Sequence, residues 1–158
     1  MRAALVLCDY AAQDLAGGKV HLMGAGWSVT GPMPTTHAVA AFVKVGWDEA
    51  NVQHTLRLRL VNSDGEVVAL PGPAGAQRIE FPGQLEVPRP AGIPHGSEID
   101  ATFVVNVGTL PLTPGQRYRW ELAIDDIDQA SEPFTVRGTL PLGMMPPGVS
   151  QPPPMPPA

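Results

Sequence analysis

Period-two alternation constrains this chain most. Residues 54–61 read His-Thr-Leu-Arg-Leu-Arg-Leu-Val, with Leu56, Leu58 and Leu60 separated by Arg57 and Arg59. A strand sends successive side chains to opposite faces, so this stretch has one buried face and one wet face. Asn62-Ser63-Asp64-Gly65 follows as a turn, and Glu66 to Leu70 is expected to return as the partner strand. One hairpin cannot bury its own leucines, so the rest of the chain must supply a second sheet.

The same alternation recurs along the chain. Val39, Ala41, Val43, Val45 and Trp47 share a face of a strand over residues 37–47. Ile99, Ala101, Phe103, Val105 and Val107 align on another, and Tyr118, Trp120, Leu122 and Ile124 on a third. On the third, Arg117, Arg119 and Glu121 are expected to face water. Ala3 to Tyr10 is apolar on both faces, which predicts a central or interface strand. Shorter strands are expected at 20–23, 27–30 and 134–140, and one turn of helix at most over 11–15. Residues 71–76 read as a loop. Pro82 and Gly83 interrupt the strand at 78–87, which predicts an edge strand or a bulge, because proline cannot donate to a ladder. No sustained helical stripe appears.

These features predict an all-β domain over residues 1–142, an immunoglobulin-like sandwich of eight to nine strands. A jelly-roll or C2-like sandwich is the alternative, because strand order is not written in the sequence. Leu112-Thr113-Pro114-Gly115-Gln116-Arg117-Tyr118 matches the tyrosine corner of immunoglobulin-like and fibronectin-like sandwiches. There the tyrosine hydroxyl bonds back to nearby backbone; the plainer alternative is a Pro-Gly turn. Residues 143–158 carry Met144, Met145, Pro152, Pro153, Pro154 and Met155 and no charged side chain. Such a segment cannot build a core and is expected to be a disordered or polyproline II tail.

Composition excludes several function classes. The ten Lys and Arg residues form no run, and formal net charge is −5, which argues against a nucleic-acid surface. No stretch reaches transmembrane length, and the apolar run before Cys8 is too short and its flank too bulky for a signal peptide. A lone cysteine permits no intrachain disulfide and suits a cytoplasmic location. Cys8 itself reads as a small buried hydrophobe. His21, His37, His54 and His95 show no zinc-ligand spacing. Gly24-Ala25-Gly26 fails the dinucleotide pattern, since Thr30 stands where the last glycine belongs and no helix follows. Asp125, Asp126 and Asp128 read as a solvated acidic turn rather than a calcium loop. No catalytic residue, metal or cofactor is expected.

Two tryptophans stand out. Trp27 follows glycines and Trp47 ends a strand, positions where exposed aromatics contact sugars or proteins; the alternative is that both cap the core. The expected function is a non-enzymatic interaction or assembly module. Its partner would be another protein, bound through the tail (Met144, Met145, Pro152 to Pro154, Met155) or through a self-association surface. A carbohydrate-binding sandwich is the alternative. A hydrolase with a dispersed site ranks last.

Leu7-Cys8-Asp9-Tyr10-Ala11 followed by Gly17-Gly18-Lys19 and Gly24-Ala25-Gly26-Trp27 resembles the opening of a family of uncharacterised bacterial proteins, mainly actinobacterial. Those chains begin with a "CD-A" strand, then "GGK-x-x-x-x-G-x-GW". Pro88 to Gly96 and the Pro-Gly-x-x-Tyr stretch resemble its later part. The likeness runs over residues 2–140. It implies a β-sandwich and transfers no activity or site residue.

Overall fold

The computed structural model describes residues 1–14, 18–32, 36–73 and 75–139. Two antiparallel-dominated sheets face each other. The smaller holds β1 (Arg2–Cys8), β5 (His37–Val45) and β10 (Ile99–Val107), in the order β1-β5-β10. The larger holds β4 (Val29–Thr30), β12 (Ile127–Val136), β11 (Arg117–Ile124), β6 (Gln53–Asn62) and β9 (Glu80–Glu86), in the order β4-β12-β11-β6-β9. β4 runs parallel to β12, and every other pair is antiparallel. Two hairpins complete the described residues: β2 (Tyr10–Gln13) with β3 (Val20–Met23), and β7 (Ala69–Gly72) with β8 (Gly75–Arg78). Helix is confined, among the described residues, to a single 3-10 turn at Trp47–Glu49.

The chain is thus an all-β sandwich, with eight strands in its two sheets. The period-two faces meet in its core. Leu7, Val39, Val43 and Val45 from one sheet close on Leu58, Leu60, Trp120 and Leu122 from the other, all fully buried. Burying a side chain of that size stabilises by about 1.5–3 kcal/mol.

Several expectations change. The chain does return antiparallel to β6 after its turn, but the pairing is short: a Val61–Val67 bridge flanked by backbone bonds from Asn62 to Glu66 and from Val68 to Leu60. The ladder partners of β6 are β9 and β11. β11 supplies Trp120 and Leu122 opposite Leu60 and Leu58, a far larger apolar surface than Glu66 to Leu70 offers. β1 is an edge strand, not a central one. Its second face is covered only at its end, where the β2–β3 hairpin buries Cys8, Ala11 and Ala38 with Val20, Leu22 and Val104 in a small second core, while Ala4 stays exposed. Residues 11–13 are therefore strand, not helix, because Ala11 must alternate inward beside exposed Tyr10. Pro71 and Gly72 pair with Ala76 and Gly75 in the β7–β8 hairpin, where a loop was expected.

Strand limits move as well. The strand expected at 27–30 shortens to Val29–Thr30. β5 stops at Val45 because Trp47 turns into the 3-10 segment. The last strand starts at Ile127, since only Asp125 and Asp126 form the turn. β9 is an edge strand, as Pro82 requires.

The tyrosine corner is present. The Thr113 amide donates to the Tyr118 hydroxyl at 3.0 Å, and Gly115 takes a φ of 81° in the turn between them. Tyr118 stacks on Phe134 with ring centres 5.8 Å apart. The expected tail, with Met144, Met145, Pro152, Pro153, Pro154 and Met155, lies outside the described residues.

Candidate functional site

The clearest site on the surface is built by the segment from Leu7 to Trp27. β1 ends at Cys8, and Asp9 bends the chain into β2. The Asp9 amide donates to the Met23 carbonyl and the Gly26 amide to that of Leu7, so both arms of the hairpin are pinned to one corner. Gly24 has a φ of 63°, and a Cβ there would lie 2.0 Å from Asp9 Oδ2. Only glycine fits, for shape and for backbone conformation together. Beyond this corner opens a cleft of about 480 Å³ lined by Asp9, Gly24, Trp27, Val29, Thr30 and Thr36.

Trp27 is half-buried. Its ring meets His37 and Phe134 edge-on, each at 5.8 Å between centres. It thus caps the core on one side and walls the cleft on the other. Its indole Nε1 is buried and has no hydrogen-bond partner. Behind it, Trp120 Nε1 donates to His37 Nε2 at 3.1 Å, which places the imidazole proton on Nδ1. Beside the cleft, Tyr10 and Met23 form a direct cross-strand pair on the outer face of the hairpin, 52% and 64% exposed.

Trp47 lies elsewhere and is fully engaged. The Arg89 guanidinium packs 5.1 Å from its ring centre and donates to its carbonyl oxygen, while His95 packs at 5.1 Å on the ring. Asn51 accepts from the Arg89 amide. Trp47 is the clasp that orders the 88–97 loop. The structure does not bring Trp27 and Trp47 into one site.

The polar groups of the larger sheet form linked pairs that the sequence did not disclose. His54, 8% exposed, places Nδ1 2.7 Å from Asp125 Oδ2 and Nε2 2.9 Å from the Glu49 carbonyl oxygen. Both partners are acceptors, so the doubly protonated ring satisfies both. The Asp125 hydrogen bond raises the His54 pKa against the opposing effect of burial. In return, the His54 hydrogen bond holds the Asp125 carboxyl below its usual range. Asp125 also accepts from the Thr55 amide. Asp126 pairs with Arg57 and Asp128 with Arg59. The acidic turn is solvated, as expected, and its exposed carboxylates also form ion pairs with the neighbouring strand. Glu121 is drawn inward, its side chain only 12% exposed, between Arg59 and Arg119. Burial pushes its carboxyl up, but the hydrogen bonds from the two arginines outweigh that and hold it below its usual range. Alternation had placed it in water; a carboxylate shared by two guanidiniums can lie flat on the sheet instead.

Cys8 is fully buried, its Sγ 3.8 Å from the Ala38 carbonyl oxygen. Burial, then the neighbouring Asp9 charge, push its thiol up, which makes it a poor nucleophile. Among the described residues no group of three or more His, Cys, Asp or Glu side chains is placed to hold a metal ion. No helix among them is long and apolar enough to cross a membrane.

The fold and the cleft define a member of the all-β sandwich class. The chain belongs to DUF6941, a family of unknown function, which it matches over residues 3–137. No curated protein matches it. Among solved structures, it is similar to a beta-glucuronidase from glycoside hydrolase family 2, with 18% identity and a TM-score of 0.37. That similarity covers 68% of this chain and 10% of the other, too slight to carry an argument about activity.

Proposed function

We propose that the domain is a non-enzymatic interaction module of the bacterial cytoplasm whose partner is another protein. The Tyr10–Met23 pair carries this reading. Two large apolar side chains stand exposed side by side, next to a cleft walled by an indole. Contiguous apolar surface of this kind is characteristic of interaction sites, and tyrosine, methionine and tryptophan are enriched there. The strand order supports an immunoglobulin-like reading of the sandwich: a three-stranded sheet opposite one in which β12, β11 and β6 are neighbours, with a tyrosine corner before β11. The unpaired, buried cysteine is in keeping with a reducing compartment. The proline-rich segment at 143–158 is proposed as a second contact, for an aromatic-lined groove.

A carbohydrate ligand is the second reading, favoured by the cleft itself, which Trp27 and Asp9 both line. The test is a pull-down from the native host with three baits: wild type, Tyr10→Ser with Met23→Ser, and a deletion of residues 143–158. Loss of the same specific protein with the double substitution supports the module and places its contact on the hairpin. Loss with the deletion alone moves the contact to the tail. Unchanged recovery with both baits, together with glycan-array binding abolished by Trp27→Ala, establishes the carbohydrate reading instead.

A further inference from the structure

The chain contains two lysines, Lys19 and Lys44. They lie 25 positions apart, one before β3 and one in β5, yet both line one groove of about 590 Å³. This groove lies beside the start of β3, at Val20 and His21, and shares no lining residue with the Trp27 cleft. Its other walls include His21, Phe42, Asp100 and Thr102. Phe42 is 37% exposed and offers an apolar contact on the outer face of the smaller sheet. Thr102 Oγ1 donates to the Gly18 carbonyl at 2.7 Å and fixes the hairpin turn above that sheet.

Two features define what fits. The first is charge. Lys44 is already paired with Asp100, whereas no acidic group among the described residues pairs with Lys19. The groove therefore holds one uncompensated positive charge in a chain of net charge −5. The second is backbone. β3 belongs to a two-stranded sheet, and its ladder uses only the side facing β2. No β2 residue lines the groove, so the groove meets β3 on its unpaired side, at Val20 and His21. An unpaired strand edge offers amide and carbonyl groups at the spacing of an extended chain.

We propose that this groove binds an extended acidic peptide segment of a partner protein. The segment adds as a short strand along Lys19–His21, sets a carboxylate against Lys19 and lays an apolar side chain on Phe42. Alternation of acidic and apolar residues suits it, because a strand presents them at period two. This assignment stands independently of the hairpin face discussed above.

The test is amide chemical-shift mapping on the intact chain. The probe is the blocked peptide acetyl-Val-Glu-Val-Glu-Val-amide, and its lysine counterpart, acetyl-Val-Lys-Val-Lys-Val-amide, is the control. The expected result is saturable shifts at residues 18–21 and 42–44 with the glutamate peptide only, weakening as salt rises. Lys19→Glu should weaken that binding by about tenfold and leave the melting temperature unchanged. Equal binding of both peptides, shifts confined to other residues, or unaltered binding by Lys19→Glu would each overturn the proposal. Sodium valerate binding as tightly as the peptide would overturn it too, since a bare carboxylate would then suffice.

Discussion

His54 and Asp125 stand 71 residues apart in sequence and 2.7 Å apart across the sheet. The bond ties the start of β6 to the β11–β12 turn, and the other ring nitrogen reaches the 3-10 segment through the Glu49 carbonyl. It also makes stability depend on pH. His54 has a raised pKa, so its contribution is complete below about pH 6.5, the ordinary value, and fades as pH climbs through the folded-state value. Asp125 has a lowered pKa, so its contribution is complete above about pH 4 and fades as pH falls through its folded-state value. The pair therefore stabilises most between those limits. Urea denaturation at pH 6 and pH 8.5 should show a loss of stability at the higher pH. His54→Gln should remove most of that difference, and an unchanged slope would show that His54 is not the responsible group.

Leu58 is 1% exposed at the centre of the larger sheet, opposite Leu122. Leu58→Ala should cost about 2–5 kcal/mol, from lost burial and the cavity left behind. Leu58→Asp should unfold the domain, because an unpaired buried carboxylate has no partner in that layer. Circular dichroism melting of both variants measures the effect. A wild-type melt for the aspartate variant would mean that the strand faces the other way.

Tyr118→Phe removes the acceptor for the Thr113 amide while leaving the ring on Phe134. Thr113 is at the surface, so water can take over its N–H once the hydroxyl is gone. The expected loss is therefore about 1 kcal/mol, near the worth of one ordinary hydrogen bond. Chemical denaturation of the purified variant checks it, and a change within error would show that packing alone makes the corner.

Gly24→Ala places a Cβ on the Asp9 carboxylate and strains a positive φ. Asp9→Ala removes most of the first obstacle, leaving only the Asp9 Cβ at 3.2 Å, and does nothing for the second. The double variant should therefore recover part of the stability lost by Gly24→Ala and retain a deficit of about 1 kcal/mol from backbone strain. A double-mutant cycle by thermal melting measures this. Strict additivity would remove the steric link between Asp9 and Gly24.

What the sequence made legible was what repeats locally. Leu58 and Leu60 declared their face through the arginines between them, Pro82 declared an edge, and Leu112 to Tyr118 declared a corner. Each signal lies within a few residues. The partner of His54 is invisible at that range, because it depends on the register of β6 against β11, set by apolar pairs such as Leu58 with Leu122. The buried position of Glu121 is hidden for the same reason, since Arg59 comes from the adjacent strand. The hairpin at 10–23 was missed in part because β2 and β3 are four residues each, too short for alternation to outweigh the glycines between them. Of the proposed contact surface, Trp27 was legible as an aromatic among glycines. Tyr10 and Met23 became partners only once the hairpin closed.

That hairpin is fastened to the smaller sheet in an unusual way. Asn106 accepts from the Ala11 amide and donates to the Ala11 carbonyl, and Gln13 donates to the Thr102 carbonyl. Apart from the backbone bonds at its Asp9–Gly26 corner, side chains do what a backbone ladder would do elsewhere, so the flap can detach while every strand of the sandwich stays paired. Its underside holds Cys8, the chain's lone thiol. The protein therefore carries its own gauge of local opening. The rate at which a thiol reagent captures Cys8 in native buffer reads the flap's opening equilibrium, and Asn106→Ala should speed that capture while the global unfolding transition moves far less.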